Sequence, residues 1–227
     1  MRVVTYNIWN GGAERIGAIE DVLRTLDADV VALQEANNRA AVETMAKQLG
    51  MQLVYGEANS EWAVAWLSKL PILRSRNHRL PVLAKTLLEI EVEGARLFAT
   101  HLVHGHSRED ASRRTAEVCA ILELVKSGSV LTGDFNAVHP QDEVGEPSPP
   151  ERLGSIARRP IELILNAGFR DCYRELHADR GWTYETTHPW FRPDHIFAAP
   201  GLRIERCQVV TDAGGASDHF PVVADVT

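Results

Sequence analysis

Asp134 and Asn136 stand two residues apart in the stretch VLTGDFNAVHP, residues 130–140, where an apolar run ends in glycine and then a carboxylate. In an extended chain, residues i and i+2 project to the same side. A carboxylate and an amide would therefore face one point at a strand end. A carboxylate beside a core is costly unless it is paired, hydrogen-bonded or bound to a metal. Gly-Asp and Asn are also common turn formers, so this stretch alone reads first as a turn.

Other segments repeat the pattern. DADVVALQE runs from Asp27 into an acid at Glu35, and RLFATHL places His101 near the end of an apolar run. RPDHIF opens a run at Asp194, and SDHFPVV opens another at Asp218-His219. In α/β architectures, sites gather at strand ends, so these groups are expected to converge on one rim. Carboxylates and amides are hard oxygen ligands suited to Mg²⁺ or Mn²⁺. Histidines supply acid–base function near neutral pH. An Asp that orients a His, beside a metal that polarises an oxygen, suits the hydrolysis of a phosphate ester.

The elements that must hold these groups follow from periodicity. Arg2 to Ile8 reads as a strand, and Ile16, Ile19, Leu23 and Leu26 recur at helical spacing. A second helix is expected from Arg39 to Leu49, stopped by Gly50, and a long one from Arg108 to Lys126. Strands are expected at Asp29–Leu33, Gln52–Tyr55, Trp62–Ser68, Thr86–Glu93, Arg96–Leu102 and Ser129–Thr132. A helix over Ile161–Ala167 precedes strands at His195–Ala198, Arg203–Thr211 and Phe220–Val226. Between them, Ala137 to Pro160 holds five of the eleven prolines and reads as a long irregular loop, which is either functional or a surface insertion. No linker or repeat interrupts the mixture, so residues 1–227 are expected to form a single α/β domain.

Bulk properties narrow the function. The net charge of −7 excludes a general basic coat for nucleic acid. It does not exclude an enzyme that touches few phosphates. Cys119, Cys172 and Cys207 are odd in number and lack C-x-x-C spacing, which argues against a disulfide framework or a cysteine zinc site. MRVVTYNIWNGG lacks the apolar core of a signal peptide, and no stretch is long and apolar enough to span a membrane. A cytoplasmic location is the expectation, with no obligate protein partner evident.

Taken in order, TYN (5–7), LQE (33–35), THL (100–102), GDFN (133–136), RPDHIF (192–197) and SDHFPV (217–222) resemble the endonuclease/exonuclease/phosphatase superfamily, with its deoxyribonuclease-I-like fold. The resemblance spans nearly the whole chain. It implies a four-layer α/β sandwich, two face-to-face mixed β-sheets flanked by helices. It implies a metal on Glu35, helped by Asn7 and Asp218, and Asp134 as the residue that positions or deprotonates the attacking water. Asn136 would hold a phosphate oxygen, Asp194 would orient His219 against the scissile phosphate, and His101 would face the phosphate or leaving group. The chain departs from apurinic endonucleases at Trp9, where they carry an acid, and at His101, where they carry Tyr. It also reads Arg192-Pro193-Asp194 in place of the usual Arg-Ile-Asp.

Other residues are open to two readings. His101, His104 and His106 have spacings that suit zinc, but Gly105 suggests a turn, so His104 and His106 read as rim residues, with His104 among the substrate-contact candidates. Trp182, Tyr184, Trp190 and Phe191 either stack on a base or aryl group or fill core; Trp190 and Arg192, beside Asp194, are the substrate-contact candidates. Arg152, Arg158 and Arg159 either close over a phosphate or lie solvated, and Arg113-Arg114 reads as an exposed face. The expected protein is a Mg²⁺- or Mn²⁺-dependent phosphoesterase, most simply a phosphodiesterase whose substrate is DNA, RNA or a small diester. A phosphomonoesterase on a small or lipid headgroup phosphate, and an inactive binding protein on the same fold, are the alternatives.

Overall fold

The computed structural model describes residues 1–105, 107–146 and 156–227, so the candidates His106 and Arg152 lie outside it. The chain opens with β1 (Arg2–Asn7), α1 (Ile16–Leu26), β2 (Val30–Gln34), α2 (Arg39–Leu49), β3 (Gln52–Gly56) and β4 (Val64–Ser68). Next come β5 (Arg74–His78), β6 (Leu87–Val92), β7 (Ala95–His101), α3 (Arg108–Leu124) and β8 (Ser129–Asp134). The last part adds α4 (Arg159–Asn166), β9 (Arg170–Asp171), α5 (Cys172–Leu176), β10 (Asp194–Ala198), β11 (Ile204–Val209) and β12 (Val222–Val226).

The strands form two six-stranded mixed sheets, in the orders β11-β12-β1-β2-β4-β3 and β5-β6-β7-β8-β10-β9. Each sheet has a parallel pair, β1–β2 in one and β7–β8 in the other. These strands are buried on both faces, which is why Val30–Gln34 and Ser129–Asp134 read as continuous apolar runs rather than alternating ones. Val3, Ala32 and Trp66 from the first sheet pack against Leu88, Leu97, Val130 and Ile196 from the second to make the central layer. The outer face of the first sheet is covered through Ile19, Leu23, Val42 and Met45 of α1 and α2. That of the second is covered through Val118, Ile121, Ile161 and Ile164 of α3 and α4. This is the expected four-layer sandwich.

Three short elements were not expected. β5 is RSRNH, an edge strand with four exposed residues, so it lacks an apolar alternation. β9 has two residues, and α5 has five and is capped by the Asp171 carboxylate, which accepts from the Tyr173 and Arg174 N–H groups.

The arginines depart most from expectation. Arg192 does not contact the rim: it is fully buried, with Nη2 2.9 Å from Asp171 and 3.0 Å from Asp142. Arg174 joins the same cage at 2.6 Å from Asp142, and His195 lies 2.7 Å from Asp171. The two acids come from distant segments, so adjacency to Asp194 misled the sequence reading. Arg158 is not free to close over a phosphate, because it donates to the carbonyls of His139, Pro140 and Asp142 and so ties down the loop after β8. Arg159 is exposed and pairs with Glu162. Arg114 is buried rather than solvated, and donates to the Val103 and Gly105 carbonyls that flank His104.

Replacing Arg192 by Leu removes the buried cation that Asp142 and Asp171 share, and breaking a buried pair typically costs about 3–5 kcal/mol. The expected outcome is a melting temperature lower by roughly 6–20 °C, read by calorimetry. A shift of a degree or two would show that the cage contributes little.

Candidate active site

Strand register assembles the site. His101 on β7 lies opposite Asp134 on β8, and Asp134 lies opposite Asp194 on β10. Gly133 permits the first of these pairings. Its φ is 143°, and a Cβ there would lie 1.9 Å from the Thr100 carbonyl oxygen. Only glycine lets the two backbones approach this closely. His101 Nε2 then stands 3.3 Å from Asp134 Oδ2.

His219 arrives from the segment before β12. Its Nδ1 is 2.8 Å from Asp194 Oδ2, and its Nε2 is 4.0 Å from Asp134 Oδ2. Thr183 Oγ1 donates to the same Asp194 oxygen at 2.6 Å and fixes the carboxylate. The first sheet contributes Asn7, whose Nδ2 donates to Asp134 Oδ2 at 3.0 Å and Glu35 Oε1 at 3.2 Å. Asn7 Oδ1 accepts from the Trp9 N–H at 3.0 Å, which settles the amide's orientation. Asn7 therefore meets the acids through its amide N–H groups and not through an oxygen. Asn136, in a left-handed conformation at φ 46°, donates from its backbone N–H to Asp134 Oδ1 at 2.9 Å and from Nδ2 to the Leu102 carbonyl at 3.1 Å.

These groups floor a cleft of about 270 Å³. Glu35, His101, His104, Asp134, Asn136, Trp190, Asp218 and His219 line it. Asn7 and Asp194 stand behind, bonded to lining carboxylate or imidazole. Among the remaining described candidates, Arg192, Arg158, Arg159 and Trp182 are left out of the lining. Tyr184 and Phe191, open to a stacking or a core role in the sequence, also line the cleft; Lys85 and Trp62 were missed, and Trp9, another lining residue, was read only as a lost acid. A signal for Lys85 was present: it is a lone cation in the run LAKTLLEI, at a strand start.

Burial and charge set the protonation states. Burial alone would lower the His219 pKa, but the charge and hydrogen bond of Asp194, with Asp134 and Asp218 beyond it, carry it up to about 10. His219 is therefore an imidazolium at neutral pH. Burial and the Asp194 charge raise Asp134 above the usual carboxylate range. Burial, with Lys85, His219 and His104 nearby, drives His101 well below its ordinary value, so it stays neutral. Its Nδ1 has no partner among the described residues. Lys85 is 4% exposed, and burial lowers its pKa to about 8 against the pull of Asp134, Glu117 and Glu35. Its Nζ donates to the Leu102 carbonyl at 2.6 Å, the same oxygen that Asn136 uses.

Two acid sets could hold a divalent ion. Asp134, Asp194 and His219 present ligand atoms within 4.8 Å of one another. His219 Nδ1 and Thr183 Oγ1 already bond Asp194 Oδ2, an arrangement that also suits a proton relay. Glu35 and Asp218 are the alternative. Asp218 is raised by burial and, further, by the Glu35 charge, which marks two like charges facing one space. That is a hard-oxygen donor pair that fits Mg²⁺ or Mn²⁺.

A sequence model of the Endonuclease/Exonuclease/phosphatase family matches residues 4–219. The chain belongs to that family. No curated protein matches it by sequence. Among solved structures it is similar to an AP endonuclease from Archaeoglobus fulgidus, at 23% identity and a TM-score of 0.83, covering 99% of this chain and 98% of the other. It is also similar to the 3'-5' exonuclease NExo from Neisseria meningitidis, at 22% identity and TM-score 0.80, covering 99% of both. Danio rerio TDP2 in complex with single-strand DNA product matches at 18% identity and TM-score 0.73, covering 100% of this chain and 98% of the other. At these identities the likeness shows a shared fold.

For this family member, Lys85 gives a test of the electrostatics. Its charge is present below about pH 8 and lost above it. The expected kcat/KM profile falls as pH rises through about 8, Lys85→Arg moves that limb upward, and Lys85→Met lowers activity on the order of 10²-fold. An unchanged profile in Lys85→Met would remove Lys85 from the site.

Proposed function

We propose that this phosphoesterase is a phosphodiesterase acting on nucleic acid or a small nucleotide-like diester, with residues 1–227 working as one catalytic domain. The observation that carries the reading is the imidazolium of His219 held between Asp194 and Asp134, facing the Glu35–Asp218 pair. A bound Mg²⁺ or Mn²⁺ on Glu35 and Asp218 would neutralise phosphoryl oxygens and polarise the ester.

The chain's own residues supply the rest. Asp134 accepts a proton from the attacking water, a role suited by its raised pKa. His219 holds a phosphoryl oxygen, with Asp194 fixing its ring and charge. Asn136, through the side-chain amide anchored on Leu102, and neutral His101 stabilise the charge that builds during transfer. The water oxygen bonds to phosphorus, the opposite ester bond breaks, the leaving oxygen takes a proton from the His219 imidazolium, and the proton gained by Asp134 returns to His219.

The structural relatives described above as an AP endonuclease, a 3'-5' exonuclease and a complex with single-strand DNA add support. No helix among the described residues is long and apolar enough to cross a membrane.

The test uses chelator-stripped protein given Mg²⁺, Mn²⁺, Zn²⁺ or nothing, against an aryl phosphodiester, an aryl phosphomonoester, plasmid DNA and single-stranded RNA. Diester cleavage that requires Mg²⁺ or Mn²⁺ is expected. Asp134→Asn and His219→Ala should each reduce turnover by roughly 10²–10⁴-fold with unchanged circular dichroism. Near-normal activity in both variants, or monoester cleavage alone, would sink the reading.

A further inference from the structure

Two indoles in the cleft play no part in the acid–histidine floor. The other aromatic lining residues pack on one another. Tyr184 meets Phe191 edge-on at 5.4 Å and lies 4.7 Å from the His219 ring, and Trp190 lies 4.1 Å from Phe191. They form the wall that supports His219. Trp9 and Trp62 make no ring–ring contact among the described residues, yet both line the cleft.

Trp9 is 48% exposed and is nevertheless held rigidly. The Arg15 guanidinium covers one ring face at 4.5 Å, and Arg15 is itself pinned by the carbonyls of Ala216 at 2.6 Å, Trp9 at 2.5 Å and Ile8 at 3.3 Å. Its backbone sits at φ 51°, followed by Asn10 at φ 50°. A bulky residue adopts positive φ only where its surroundings impose it. Here they are the catalytic floor itself: Trp9 N–H donates to Asn7 Oδ1, and Asn10 N–H donates to Glu35 Oε2 at 2.7 Å. Trp62 is tied to the other side of Glu35, because the carbonyl of the next residue, Ala63, accepts from the Ala36 N–H at 2.9 Å and the Ala63 N–H donates to Asn37 Oδ1 at 3.1 Å. Both indoles are thus mounted on the segments that flank one cleft carboxylate.

We propose that Trp9 and Trp62 are a stacking lip for an unpaired nucleobase joined to the scissile phosphate, which makes short single-stranded nucleotide diesters the substrate class. The assignment rests on the phosphodiesterase reading above. A planar ring is what a fixed indole with one open face can hold, and stacking tolerates every base. A base inside a duplex has both faces covered and offers none. The cleft, at about 270 Å³, is smaller than the roughly 300–1,000 Å³ of sites for a whole drug-sized ligand. One base–phosphate unit suits it. With a net charge of −7, affinity cannot come from a long series of backbone phosphates, so ring contacts must supply it.

The experiment separates binding from turnover. Thymidine trinucleotide and the same trinucleotide with its central base removed are titrated against chelated protein, in wild type, Trp9→Ala, Trp9→Phe and Trp62→Ala. Wild type should bind the base-bearing strand roughly fivefold to a hundredfold tighter. Trp9→Ala should shrink that preference at least fivefold, Trp62→Ala should shrink it too, and Trp9→Phe should restore most of it. No preference in wild type, or one that survives in both alanine variants, overturns the lip. With Mg²⁺ or Mn²⁺ added, the single strand and a dinucleoside phosphate should be cleaved faster than the same sequence in a duplex; equal rates overturn the substrate class. A base preference in binding with no cleavage under any metal leaves the lip standing and removes the phosphodiesterase reading alone.

Discussion

The amide of Asn7 joins the two sheets chemically. Its nitrogen donates to Glu35 at the end of one sheet's strand and to Asp134 at the end of another in the opposite sheet. Two carboxylates drawn to one point repel, and a neutral double donor is the least costly bridge between them. Everything else at the floor is arranged around that bridge. Trp9 orients the amide, Ser217 Oγ holds the Asn7 carbonyl at 2.7 Å, and His219 follows Ser217 by two residues. The sandwich is therefore more than a scaffold: the distance between its sheets decides whether the acids share one neighbourhood.

The same electrostatics single out the Glu35–Asp218 pair. His219 is held by Asp194, and Lys85 is buried against the Leu102 carbonyl. Their charges reach Asp218 and Glu35, but neither forms an ion pair with those acids among the described residues. The protein leaves that pair of charges facing open space while it encloses its other buried ions, as in the cage of Arg192 with Asp142 and Asp171. Buried charges are normally paired, and the contrast between the two clusters separates a structural ion network from a reactive one.

Much of the architecture was legible because two-sided burial writes itself as apolar runs. β1, β2, β7, β8 and β10 could be placed from composition, and the groups at their ends did converge. The edge strand β5 could not, since nothing buries it. The arginines were misread for a related reason. Arg114 and Arg192 are buried, and Arg158 half-buried, by partners that come from distant turns or loops, and a charged residue carries no local mark of such a partner. Asn7 was expected among the metal's helpers, but its amide nitrogen faces the acids because the Trp9 N–H takes the oxygen. Lys85 was marked only as a lone cation before a strand, and Trp62 read as strand.

β12 lies between β1 and β11, and its register begins where Arg2 faces Asp225. His219, three residues before β12, is thus the last member of the floor to leave the ribosome, while Asn7 is the first. Throughout synthesis the acids of β2 and β8 exist without their imidazolium, and β1 lacks one of its two neighbours. Contacts of such long range form late. The nascent chain therefore carries no assembled acid–histidine cluster until β12 docks, and the cluster is completed with the closing of the first sheet.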